Sequence, residues 1–228
     1  ARWLDTDHAD PYWQRVSPSA HADVLTGKGP PALFISGWYD THLPGTIAGY
    51  RAYEAAGGAE AALVVGPWAH FPWGRRIGGV DFGEAAIGAI DQLQVAWFDR
   101  HLKGDAGCWP DAGRVRLFDV GSHGWRSFDA WPSETIDWHL ASDGRAALDE
   151  RAGQLVSAPA NSDAIDRIVH DPWRPVETIG GAFGSVPGPV DRTATDARPD
   201  VLTYSSAILD TPLALAGVPI VSVQALSD

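Results

Sequence analysis

The sequence predicts an α/β region, strand and helix alternating, followed by an all-β sandwich. Three observations carry this. Two short apolar runs, 31–37 (PALFISG) and 61–65 (AALVV), are each followed by a helix-like stretch. Both runs leave through a Gly- and Trp-containing exit that ends on a titratable residue, GWYD at Asp40 and GPWAH at His70. From 104 to 113 the composition turns to Gly, Asp, Pro and Ala, and no segment beyond it has convincing helical periodicity.

Taken in order, residues 1–25 are acidic, aromatic and irregular, with one short helix expected where Asp10 caps and Pro11 opens DPYWQ. The run at 31–37 is nearly continuous in apolar residues, as in a parallel strand covered on both faces. Thr41 or His42 can cap the next helix, Pro44 suits its first turn and Gly57-Gly58 ends it. A second strand follows at 61–65. A second helix is expected at 84–103, with Ala86, Ile90, Leu93 and Trp97 at helical spacing and Gly104 as terminator. After the boundary, 115–120 alternates as a strand, and 136–141 should pair with 145–148 across the Asp143-Gly144 turn. Residues 201–206 and 218–223 supply two more strands. The stretch 157–199, rich in Pro, Gly and Asp, is long for a compact domain unless it wraps over a surface.

With 228 residues and 45% hydrophobic composition, the chain can bury a sizeable core. Its 17 Lys and Arg against 29 Asp and Glu give a formal net charge of −12, which argues against nucleic acid or an anionic membrane surface as partner. No run approaches the roughly 18 apolar residues a membrane-spanning helix needs. One cysteine, Cys108, excludes an internal disulfide and a cysteine-rich metal site. It leaves the compartment open, a cytoplasmic setting being favoured over secretion. The absence of any Met and the strand pattern running to the last residues suggest an excerpt of a longer protein.

Asp40 and His70 are the candidate catalytic residues. With a helix between their strands they should emerge at the same end of neighbouring parallel strands, where α/β enzymes place their sites. Acid then base, with no plausible nucleophile between or after them, fits the last two members of a Ser…Asp…His triad, the serine lying upstream. Singly, Asp40 could be a capping residue and His70 a structural loop histidine; the pair is the stronger signal. Trp38, Trp68, Trp73 and Trp125 could line an apolar substrate pocket or pack the core. Asp5, Asp7, His8 and Asp10 read as a solvated acidic face, and the other histidines lack metal-ligand spacing, so no metal or other cofactor is expected.

Five ordered blocks carry a family resemblance: ISGWYD at 35–40, VGPWAH at 65–70, WFDRHLKG at 97–104, FDVGSHGWR at 118–126 and DVLTYSS at 200–206. Together they resemble the CocE/NonD hydrolases, which include cocaine esterase, α-amino-acid ester hydrolases and X-prolyl dipeptidyl-peptidases. The resemblance implies the end of a helical cap at 1–25, the C-terminal part of an α/β-hydrolase domain at 26–105 and an incomplete β jelly roll at 111–228. It also implies Asp40 as triad acid, His70 as triad base and a small ester or peptide substrate, with the serine and oxyanion hole before residue 1. Two alternatives stay open: a non-catalytic β-sandwich binding module, and an enzyme using a serine of its own such as Ser122. Homo-oligomers are also left open; without the upstream strands, 31–65 would present exposed sheet edges.

Overall fold

In the computed structural model the described residues are 3–18, 20, 21, 29–57, 60–109, 113–160 and 164–227. They fall into two compact units, Ala1–Trp131 with Gly180–Pro189, and Pro132–Ile179 with Val190–Asp228.

The first unit is built on a four-stranded sheet in the order β1-β2-β5-β6. Helix α1 (Pro11–Val16) precedes it, with the Asp10 side chain accepting from Tyr12 N–H as an N-cap. Strand β1 (Ala32–Gly37) leads into helix α2 (Leu43–Ala55) and then into β2 (Ala61–Gly66), which pairs in parallel with β1 from Ala32↔Ala61 to Gly37↔Gly66. This is the expected βαβ unit. All of β2 is buried, whereas β1, at one edge of this sheet, is half-buried over its first four residues. Helix α2 packs Ile47, Tyr50 and Tyr53 inward, at spacings of three that keep them on one face, and both tyrosines meet Phe34 of β1 edge-on. His42 occupies its N-cap without a side-chain cap bond, and Pro44 stands in its first turn as expected. Gly57, with φ +61°, follows its end, while Gly58 lies outside the described residues.

The helix expected at 84–103 is broken into a 3₁₀ turn (Glu84–Ala86), helix α3 (Ile90–Phe98) and a π-turn (Asp99–Lys103) closed by Gly104 at φ +74°. The cause is local competition for carbonyls. The indole N–H of Trp68 takes the carbonyl of Ala86 at 2.7 Å and that of Trp125 takes Ala85 at 2.8 Å, so neither oxygen serves an α-helical bond. Strands β3 (Arg76–Ile77) and β4 (Val80–Asp81) form a small antiparallel pair just before this turn.

Composition suggested a boundary at 104–113, yet the sheet continues across it. Strand β5 (Val115–Asp119) pairs in parallel with β2, and β6 (Gly124–Phe128) returns antiparallel to β5. The compact unit therefore runs to Trp131. Residues 110–112 and the expected division at 25/26 lie outside the described residues. From the long stretch 157–199, Gly180–Pro189 belongs to this first unit, closed by a bridge between Gly181 and Gly188.

In the second unit, β7 (His139–Ala141) pairs antiparallel with β8 (Gln154–Val156), and β9 (Ser205–Ser206) adds in parallel. The partner expected for 136–141 is thus corrected. Residues 145–149 coil into a helical turn, Leu148 and Asp149 both donating to the carbonyl of Arg145, which moves the return strand to Gln154–Val156. Asp166 holds this turn by accepting from Ser142 Oγ, Ala146 N–H and Tyr204 Oη at 2.6–2.9 Å. The strand expected at 201–206 shrinks to its last two residues, and 218–223 forms none, with Ile220 88% exposed and no strand partner among the described residues. A strand without a neighbour leaves its backbone groups to water. Helix α4 (Thr193–Asp196) is a single turn.

Candidate active site

Asp40 and His70 are brought together by two strand exits that stay paired beyond the strands themselves. After β1 and β2 end, Trp38 N–H donates to the carbonyl of Gly66 and Tyr39 N–H to that of Trp68, both at 2.9 Å. So close an approach requires glycine. A Cβ on Gly37 would stand 2.0 Å from the Trp68 carbonyl oxygen, and one on Gly66 would meet the Trp68 indole at 2.4 Å. The two glycines of GWYD and GPWAH are thereby explained by packing.

The Asp40 carboxylate is almost fully enclosed, its side chain 8% exposed, and each oxygen has assigned partners. Oδ1 accepts from the backbone N–H of His42 at 2.8 Å, and Oδ2 accepts from Ser36 Oγ at 3.2 Å. His70 Nδ1 lies 3.2 Å from the same Oδ2, and its ring is 58% exposed. Burial by itself would raise the Asp40 pKa, but the bonds from His42, His70 and Ser36 outweigh it and hold the carboxyl below its ordinary range. An ionised Asp40 makes Nδ1 the protonated nitrogen of a neutral His70. Nε2 then keeps its lone pair, the tautomer a general base needs.

Two rings stand against His70, and a third backs one of them. Phe71 and His42 approach it edge-on, with centroids at 4.7 and 4.8 Å, and Trp73 packs on Phe71 at 5.3 Å. Of the tryptophans expected near a substrate, Trp73 and Trp38 are half-buried. Trp38 anchors its indole N–H on the carbonyl of Phe118 at 2.7 Å. Trp68 is completely buried among Val64 and Ile90, and its surface is accounted for by the core. Trp125 packs against Trp68 and Phe118. Ser122 lies in the β5–β6 turn, its N–H bound to Asp119.

Two participants were not legible as such in the sequence. Ser36 carries no site signal in the sequence, although its place four residues before Asp40, near the end of β1, puts its hydroxyl against the carboxylate. His42 appeared as a helix cap, whereas its ring lies against His70. Asp40, His42 and His70 also form a cluster of possible metal ligands, one donor atom from each lying within 4.8 Å of the others. The acidic run near the N-terminus does what short acidic turns do: Asp7 and Asp10 accept from Ala9 and Tyr12 N–H, and His8 is exposed.

Comparison with known proteins identifies the family. The family model of the X-Pro dipeptidyl-peptidases (S15 family) matches residues 1–72, a span that includes both Asp40 and His70. That of the X-Pro dipeptidyl-peptidase C-terminal non-catalytic domain matches residues 108–228, more than half the chain. The chain belongs to the CocE/NonD family of hydrolases. Its relatives include the cocaine esterase of Rhodococcus sp. (strain MB1 Bresler), 31% identical over 223 residues that cover 94% of this chain and 38% of the esterase. The chain thus spans well under half the length of that relative. Among solved structures it resembles an α-amino acid ester hydrolase, with a TM-score of 0.55, 24% identity, and coverage of 71% of this chain and 28% of that one. An aminopeptidase from a marine sediment Thaumarchaeota archaeon is similar at a TM-score of 0.51 and 22% identity, covering 74% of this chain and 27% of that one. These likenesses support the fold. The C-terminal family match begins at residue 108, before the end of the first compact unit at Trp131.

Proposed function

We propose that this CocE/NonD chain supplies the acid and base of a serine hydrolase triad, Asp40 and His70, to an enzyme that cleaves an ester or amide through an acyl-enzyme. The observation that carries it is the 3.2 Å approach of His70 Nδ1 to the enclosed Asp40 carboxylate, at the exits of adjacent parallel strands. The nucleophilic serine and the oxyanion donors are placed upstream of residue 1. His70 Nε2 takes the serine proton as the serine attacks the carbonyl, then delivers it to the leaving alcohol or amine; water repeats the cycle on the acyl-enzyme. Asp40 stays ionised throughout and stabilises the imidazolium. Trp38 and Trp73, both half-buried, would offer apolar surface to the substrate, with Trp68 packed in the core against Trp73. In this scheme residues 1–25 end a helical cap, 26–105 close the α/β-hydrolase fold, and 111–228 contribute a β jelly roll.

The test is hydrolysis by the full-length protein of p-nitrophenyl acyl esters, amino-acid p-nitrophenyl esters and X-Pro p-nitroanilides, beside His70→Ala. Turnover of one class that is lost in His70→Ala supports the proposal and names the substrate. Turnover that survives the substitution, or none with any class, would contradict it.

A further inference from the structure

We propose that Asp40, His42 and His70 form a chelating site for Zn²⁺ that, when filled, withdraws His70 from base catalysis. Three facts meet there. Donor atoms of the three side chains lie within 4.8 Å of one another. His70 Nδ1 and Asp40 Oδ2 are 3.2 Å apart, and an ion at the usual Zn–N and Zn–O distances of about 2.1 Å would see them at roughly 100°, near the tetrahedral angle. The His42 ring is exposed and lies against His70, so a side-chain rotation can bring a nitrogen from its present position toward the ~3.3 Å ligand spacing of a tetrahedral site.

The donor set also selects the ion. Two imidazoles and one carboxylate suit Zn²⁺ or Cu²⁺, whereas Mg²⁺ and Ca²⁺ require shells of oxygen. The ion takes the place of the hydrogen between His70 Nδ1 and Asp40 Oδ2. That hydrogen returns to the ring at Nε2, the imidazole changing tautomer with no net gain or loss of a proton. Nε2 then carries a hydrogen and has no lone pair for a serine proton. Metal binding needs only the geometry; the inhibition rests on the catalytic role proposed for His70, and the two can fail separately.

The experiment is calorimetric titration of the full-length protein, affinity tag removed, with Zn²⁺, for wild type, His42→Ala and His70→Ala. Hydrolysis rates with and without Zn²⁺ are measured in parallel, and a control contains excess Mg²⁺ and Ca²⁺. The expected result is one Zn²⁺ equivalent in wild type, unaffected by Mg²⁺ or Ca²⁺, whose affinity falls at least tenfold in both variants, with sensitivity of hydrolysis to Zn²⁺ falling in His42→Ala. His42 is exposed, so its truncation leaves the fold intact and a melting curve checks this. No Zn²⁺ binding, or binding unchanged in His42→Ala, would overturn the site. Binding of the expected pattern in a protein without hydrolytic activity would support the site and contradict the catalytic role.

Discussion

The carbonyl oxygen of Trp68 fills the space that a side chain on Gly37 would need, 2.0 Å from where its Cβ would stand. The same carbonyl accepts the backbone N–H of Tyr39, and Asp40 is the next residue. The distance between the proposed acid and base is thus set by backbone packing two and three residues away from them, and rigid elements hold a site better than loops do.

Gly37→Ala should therefore damage the site through the backbone. Forcing a methyl against a main-chain oxygen costs on the order of 1–3 kcal/mol, as overpacking does, and pushes the two exits apart. A urea melt of the full-length protein should show the lower midpoint, with a fall in kcat beyond it. An unchanged midpoint and rate would contradict the packing account.

Asp40→Asn keeps the shape and removes the charge. The amide can offer its N–H to His70 and favour the wrong tautomer, so kcat should fall by about 10⁴-fold with KM nearly constant, the size of loss this change gives in a serine-protease triad. The pH dependence has a definite sign. Because the folded-state pKa of Asp40 is lowered, its contribution to stability is complete above the unfolded-state value and is lost as pH falls through the folded one. Melting temperature plotted against pH should lose part of its acid limb in Asp40→Asn.

Ser36→Ala removes one of three bonds to the carboxylate and leaves those from His42 N–H and His70. A single hydrogen bond contributes about 0.5–1.5 kcal/mol, up to about 3 kcal/mol toward a charged group. Activity should drop severalfold, well short of the Asp40→Asn loss, and the acid limb of the stability–pH curve should shift to higher pH as Asp40 becomes easier to protonate. A loss equal to that of Asp40→Asn would show Ser36 to be more than a positioning residue.

Trp68→Phe should read out mainly as stability. It leaves the Ala86 carbonyl without its indole donor in a buried setting, a cost of about 1–3 kcal/mol, and shifts the 3₁₀ turn that this bond holds. Unfolding midpoints measure it directly. A neutral effect would mean that the broken helix at 84–103 does not depend on the indole.

Much of the α/β region was legible because its signals are local. Apolar runs bounded by Gly and Pro gave β1 and β2, Asp10 gave α1, and the strand–helix–strand order gave the parallel pair that places Asp40 beside His70. What was not legible depends on distant partners. No spacing rule says that the indoles of Trp68 and Trp125 will take the carbonyls of Ala85 and Ala86 and interrupt a well-patterned helix. Alternation identified 115–120 as a strand but not the sheet it joins. The chain bends at Asp143-Gly144, with Gly144 at φ +91°, but no hairpin closes there, because Asp166, 20 residues from Ala146, holds a helical turn that moves the return strand on. Ser36 and His42 were visible as residues and invisible as neighbours of the site, since only the folded exit turns them toward Asp40 and His70.

The most direct test of the split triad is fluorophosphonate labelling of the full-length protein with peptide mapping, beside His70→Ala and Asp40→Asn. A single labelled serine upstream of residue 1, its labelling abolished in His70→Ala and strongly slowed in Asp40→Asn, is the result this account predicts. A label on Ser122 or any other serine within 1–228, or labelling indifferent to His70, would contradict it.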